Sequence, residues 1–159
     1  MIWALQPANK LVCEVALQTG WRIDDILSLT TEQLQNASHK KRCSVTITEQ
    51  KTGKRSTRIL PRDLCDRLIE QAGRLYVFEG RDDYRKHRTR QAVYMDLKAV
   101  AKKFKLNINL SPHSLRKNYA VYLRQNGYSL EDIQKKLNHF SIGTTMLYAM
   151  ADEMTSKYK

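Results

Sequence analysis

Apolar positions change period several times along this chain, and the changes mark its elements. Over 8–18, Ala8, Leu11, Val12, Val15 and Ala16 recur at helical spacing, and Gly20 follows as a stop. A short helix is predicted over 23–29. The period then shortens to two. Val45 and Ile47 alternate within Cys43–Ile47 as a half-buried strand requires, Thr52-Gly53 supplies turn chemistry, and Thr57–Leu60 reads as the returning strand. Lys51 and Lys54 therefore flank the tip of a hairpin. Pro61 stands at the first position of a helix running to about Ala72, with Cys65, Leu68, Ile69 and Ala72 on one face. After a polar loop, Thr89–Phe104 is helical, with Val93, Leu97, Val100, Ala101 and Phe104 as its apolar stripe. Ser111-Pro112 is an N-cap followed by proline, and starts a helix that runs to about Gln125 and stops near Gly127. Ser129 and Asp132 have capping-box spacing, with Asp standing where Glu or Gln is preferred. Ser141 caps a last helix ending near Tyr148. The sum is an α+β fold, mostly α-helical with one small antiparallel β-sheet. There is no repeat, low-complexity tract or flexible linker, so residues 1–159 read as a single domain.

Charge narrows the function. The formal net charge is +12 and the pI about 9.8, which points to a polyanionic partner and says nothing about fold. No apolar run approaches a bilayer span, and there is no signal-peptide pattern, basic amphipathic anchor or lipidation motif. The expected partner is nucleic acid rather than a membrane, and the expected location is the cytoplasm. Cys13, Cys43 and Cys65 are odd in number and lack C-x-x-C spacing, so free thiols are expected rather than a disulfide or a thiolate metal site. Between positions 81 and 105 lie nine Lys or Arg against three Asp. Within that run, the Arg85–Arg90 stretch (Arg85, Lys86, Arg88, Arg90) is a loop of the type that meets phosphates, positioning DNA without reading its sequence.

Candidate chemistry is scattered in sequence. His113 and Arg116 lie three apart on the first turns of the Ser111 helix, so they share a face near a helix N-terminus that favours anions. Arg22 follows Thr19-Gly20-Trp21, where packing between two core helices can hold it rigid. His139 ends one helix, and Tyr148 lies nine positions later near the end of the next. Each feature alone is common by chance. Their order is not: Arg22, a hairpin Lys, His113, Arg116, His139, Tyr148.

With that set in view, the sequence resembles the tyrosine recombinases, also called the phage integrase family. The matching segments are ALQTGWRIDDILSLT around Arg22, KTGK at the hairpin, TRQAVYMDLKAVAKK in the helix before the H-x-x-R, SPHSLRKNYA around His113 and Arg116, and KKLNHFSIGTTMLYA around His139 and Tyr148. The resemblance runs from about residue 8 to 150. It implies that Tyr148 attacks the scissile phosphate, forming a 3′-phosphotyrosyl link and releasing a 5′-hydroxyl. His113 would serve as base or orienter. Arg22 and Arg116 would clamp the non-bridging oxygens, which the planar guanidinium fork suits. His139 would donate a further hydrogen bond. A hairpin lysine would protonate the leaving oxygen; the family pattern favours Lys51, with Lys54 as runner-up and as a DNA contact. Bond energy is kept in the phosphotyrosine, so no nucleotide or metal is implied, and the partner is double-stranded DNA held by a tetramer of the protein.

Three departures from the family stand out. Asn138 replaces the usual Gly before the second His, and Asn also tolerates left-handed backbone. Lys117-Asn118 follows Arg116 where many members have His or Thr. Family members usually carry a DNA-clamping domain ahead of this one; the expectation is that this chain lacks it, with Trp3 and Leu5 exposed as a result; in relatives, tails like Ala149–Lys159 pack on a neighbouring protomer. Two alternatives remain in play: a type IB topoisomerase, which shares the chemistry, and a non-enzymatic DNA-binding module of the same fold. The chain alone is expected to bind DNA weakly, with affinity falling steeply as salt rises. A titration giving nanomolar affinity at physiological salt would overturn that expectation.

Overall fold

The computed structural model describes residues 2–106, 110–138 and 142–149. A 3-10 turn at Ile2–Ala4 leads into α1 (Pro7–Thr19), followed by α2 (Ile23–Leu27) and α3 (Thr31–Ser38). Strands β1 (Cys43–Thr48) and β2 (Arg55–Leu60) form an antiparallel hairpin that pairs Cys43 with Leu60 and Thr48 with Arg55. Helices α4 (Arg62–Gln71), α5 (Arg90–Lys103), α6 (Pro112–Gln125), α7 (Leu130–Leu137) and α8 (Ile142–Ala149) complete the chain. The fold is therefore α+β, mostly helical with one small antiparallel sheet. No helix among the described residues is long and apolar enough to cross a membrane.

One core joins α1, α2, the inward face of the hairpin, α4 and α5, with Val12, Ile26, Val45, Leu68, Phe78 and Val93 fully covered. A second, smaller cluster lies between α6 and α7, built from Tyr119, Ala120, Leu123, Ile133 and Leu137. The two meet at Gly20. This residue caps α1 at φ 69°, and its N–H donates to the Ala16 carbonyl at 2.9 Å. A Cβ there would stand 2.2 Å from the Tyr119 ring and 2.9 Å from Leu137, so only glycine lets α6 and α7 close on the end of α1. The next residues are pinned in turn. The Thr19 hydroxyl accepts from Trp21 N–H at 3.2 Å, and buried Trp21 donates its indole N–H to Ser56 on β2 at 2.8 Å.

Two expectations need correction, and one helix is added. Cys43 and Cys65 form a disulfide, with Cα atoms 6.5 Å apart, and only Cys13 remains a free thiol. Cysteine spacing could not show this: the hairpin pairs Cys43 with Leu60, and the turn at Pro61 carries the first turns of α4 back across the base of β1. The Cys13 thiol is pushed up to about 12 by burial, with Asp96 and Glu14 adding to the effect. Leu5 is buried in the main core, because the turn before Pro7 folds it under α1, whereas Trp3 is exposed as expected. Helix α3 has no counterpart in the hydrophobic pattern. A capping box makes it: Gln33 N–H donates to the Thr30 hydroxyl at 3.2 Å, and the Gln33 side chain accepts from Thr30 N–H at 2.9 Å.

Two glycines with the same backbone hand separate packing from strain. Gly53 in the hairpin turn has φ +66° and no atom within 4 Å of a built Cβ. Gly53→Ala is expected to cost about 1–2 kcal/mol, for backbone strain alone. Gly20→Ala adds overpacking and is expected to cost about 2–5 kcal/mol. Equal losses in parallel denaturant unfolding would show that the Tyr119 contact does not constrain the fold.

Candidate active site

Strand β1 alternates inward at Cys43, Val45 and Ile47, and the next inward position is Glu49, which is 2% exposed. A carboxylate placed there must be met by donors. Arg22 Nη1 donates to Glu49 Oε2 at 2.6 Å, Asn138 Nδ2 to Oε1 at 2.6 Å, and the Thr52 hydroxyl to Oε2 at 3.1 Å. Burial alone would raise the Glu49 carboxyl, but hydrogen bonds from Asn138 and Arg22, the Arg22 charge and Thr52 together hold it below the usual range. Asp25, one turn along α2 from Arg22, accepts from Gln50 N–H at 2.9 Å, while its Oδ2 lies 3.9 Å from Arg22 Nη1. Burial is the main cause that raises the Asp25 carboxyl, opposed by the Gln50 N–H and Arg22, with the Glu49 charge adding to the rise.

Arg116 performs a second tie. It is 5% exposed and donates to the carbonyls of Gly20, at 2.7 Å, and Leu137. These carbonyls lie at the C-terminal ends of α1 and α7, which helix geometry leaves unsatisfied and partly negative. One buried cation thus joins the turn before Arg22 to the turn before His139. Asn138 takes the left-handed backbone expected of it, at φ 48° and ψ 43°.

Arg22 and Arg116 meet His113 around a small cavity of about 40 Å³, lined also by Ile23, Asp24, Arg90 and Pro112. Arg90 lies 3.5 Å from Asp24 Oδ2, and its Nη2 stands 3.4 Å from His113 Nε2. Partial burial pushes the His113 ring below its ordinary value near 6.5, helped by the positive charges of Arg90, Arg116, Lys117 and Arg22. The result is a cavity rich in fixed donors beside a neutral imidazole, at the start of α6. Such an arrangement can grip a phosphate diester and accept a proton next to it.

Of the other sequence-predicted residues, Lys51 and Lys54 are exposed at the hairpin turn, where Glu49 N–H donates to the Lys54 carbonyl at 2.9 Å, and neither lines the cavity. Tyr148 lies in α8, and its side chain is outside what is described, as is His139. The loop cations diverge. Arg85 pairs with Asp83, Lys86 is exposed, and Arg88 turns inward to donate to Asn9 at 3.3 Å. Arg90 joins the cavity, a position that its place in the basic run did not suggest. Sequence reasoning also missed Glu49, Asp25, Thr52 and the side-chain role of Asn138. The available signal for Glu49 was an acid falling on the inward phase of an alternating strand.

Fold and cavity together define a class: a mostly helical domain with one hairpin, in which helix ends gather arginines and a histidine around a cavity suited to an anion. The chain belongs to the phage integrase family, which it matches over residues 4–154. It is 27% identical over 155 residues to the tyrosine recombinase XerD of Halalkalibacterium halodurans, covering 88% of this chain and 48% of that protein. It is 29% identical over 161 residues to the tyrosine recombinase XerC of Herpetosiphon aurantiacus, covering 94% and 50%. Among solved structures, the XerH site-specific recombinase bound to palindromic difH substrate in a post-cleavage complex has a TM-score of 0.69 at 21% identity, covering 94% of this chain and 44% of that one. The catalytic domain of bacteriophage HP1 integrase has a TM-score of 0.60 at 23% identity, covering 94% and 81%. These structural likenesses show the fold. The chain spans about half the length of the curated relatives it matches.

The depressed His113 value has a signed consequence. Unfolding below about pH 6.5 takes up a proton, so this group's contribution to stability is present above that pH and declines as pH falls toward the folded value. An NMR titration of the His113 ring in the free protein is expected to give an inflection below 6.5. An inflection at or above that value would remove the argument for a neutral base.

Proposed function

We propose that this chain is the catalytic domain of a site-specific DNA recombinase or integrase that breaks and rejoins DNA through Tyr148. The observation that carries this reading is the convergence of Arg22, Arg116 and His113 on one cavity at the start of α6, in a member of the phage integrase family. The Tyr148 oxygen attacks the scissile phosphorus, and the bond to the 5′-oxygen breaks. His113 receives the tyrosine proton, and Lys51 (or Lys54) supplies one to the leaving 5′-oxygen. Arg22, Arg116 and His139 stabilise the charge on the non-bridging oxygens, each donor contributing about 3 kcal/mol if it resembles other preorganised oxyanion donors. A tyrosine at its usual pKa near 10 is almost wholly protonated at neutral pH, which is why it needs a base. The reverse attack by a 5′-hydroxyl restores the diester, so the chemistry calls for no nucleotide and no resident cofactor.

The substrate is double-stranded DNA, with the exposed Arg85, Lys86 and Lys54 on its backbone and Arg90 at the rim of the cavity, while Arg88, turned inward onto Asn9, drops out of that set. Strand exchange between two sites would take place in a tetramer, in the cytoplasm at the nucleoid. Support comes from relatives named as tyrosine recombinases and from a neighbour solved on its DNA substrate after cleavage.

A nicked duplex with a randomised centre, from which the 5′ fragment diffuses away after cleavage, tests the reaction. The wild-type chain is expected to give a covalent band on a denaturing gel that Tyr148→Phe does not. Adducts from both proteins would mean a different nucleophile. No adduct from either would favour a DNA-binding module without catalysis.

A further inference from the structure

We propose that Glu49 is the positioning residue of this site. Its buried carboxylate sets the direction of the Arg22 guanidinium and ties it to the hairpin turn and to the segment ahead of His139. The inference rests on the functional reading above for its catalytic consequence, though not for its geometry.

Three segments that carry candidate catalytic residues share no backbone pairing with one another at this point, yet each sends one donor to the same carboxylate. Arg22 comes from the α1–α2 junction, Thr52 from the turn that holds Lys51, and Asn138 from the residue before His139. Gln50 N–H, the next residue along, is anchored on Asp25 at 2.9 Å, so the strand end cannot slide relative to α2. Glu49 engages Arg22 through Nη1 alone; Nε and Nη2 have no partner among the described residues. A guanidinium has five N–H donors in a fixed plane. Fixing one edge on Glu49 therefore orients the remaining donors without consuming them. Glu49 is not itself among the residues that line the cavity, so its effect passes through Arg22, which does line it, and through the two loops.

A purely space-filling role predicts something different. Glutamine matches glutamate in size and accepts hydrogen bonds, but lacks the charge that anchors Arg22. If Glu49 only filled the core, Glu49→Gln would behave as wild type. If it positions Arg22, a misplacement of about an ångström at the phosphate can cost on the order of a hundredfold in rate.

The test has two arms. In the free chain, ¹⁵N spectra of the Arg22 guanidinium are expected to show separate Nη signals in wild type, because the ion pair slows rotation, and averaged signals in Glu49→Gln and Glu49→Ala. On the nicked duplex pool, single-turnover adduct formation is expected to fall about tenfold in Glu49→Gln and about a hundredfold in Glu49→Ala. DNA affinity measured by anisotropy should change less than about threefold. Asn138→Ala should fall between wild type and Glu49→Ala. Unchanged Arg22 spectra would overturn the proposal, as would cleavage and binding that decline together in step with melting temperature. A wild-type chain that forms no adduct would overturn the functional reading and the catalytic consequence drawn from it. The spectra would still decide whether Glu49 holds Arg22, so the two failures are distinguishable.

Discussion

A carboxylate buried in a protein interior is costly, and the cost is recovered only when donors surround it. Glu49 imposes that condition on this fold. Its position one residue past β1, continuing the strand's inward phase, places a negative charge beside the α1–α2 junction, and the structure answers with Arg22, Thr52 and Asn138. Once those three are drawn in, the hairpin turn, the start of α2 and the end of α7 have fixed relative positions. The cavity with Arg22, Arg116 and His113 is what remains above them. Two acids beneath and three guanidiniums around make a layered site: Glu49 and Asp25 anchor, while Arg22, Arg116 and Arg90 border the cavity beside the His113 ring.

The second constraint is steric. Gly20 has no side chain, and the space a Cβ would need is filled by Tyr119 and Leu137. Arg116 can then reach the Gly20 and Leu137 carbonyls together. Packing and electrostatics thus act on the same few residues: a glycine permits the approach, and a buried guanidinium satisfies the helix ends brought close by it.

Much of this was legible in the sequence, for definite physical reasons. Helix α1, the hairpin, and helices α5, α6 and α7 announce themselves through period and through caps at Gly20, Thr89, Ser111 and Ser129. The site residues Arg22, His113 and Arg116 could be placed from ordered motifs, and they do converge; His139 and the Tyr148 side chain lie outside the described residues. What escaped was whatever depends on distance in space. The Cys43–Cys65 bond spans 22 residues and two elements. Helix α3 is eight residues whose apolar face is only Leu34 and Ala37, with a capping box at its start. Glu49 looked like a polar residue at a strand end, because its partners come from positions 22, 52 and 138. Arg90 sat inside a basic run whose members turn out to face different ways.

Arg116 carries a consequence for how any loss of activity at this position is interpreted. Its guanidinium closes two helix ends and also borders the cavity, so under the proposed function stability and reactivity would draw on the same set of N–H donors. Lysine, with a single ammonium, cannot reproduce that planar reach. A position under both demands has little freedom to improve either one, the usual root of a trade-off between robustness and turnover. Inactivity after substitution there would report on the architecture as much as on the chemistry, and only a variant that keeps both carbonyl ties could tell them apart.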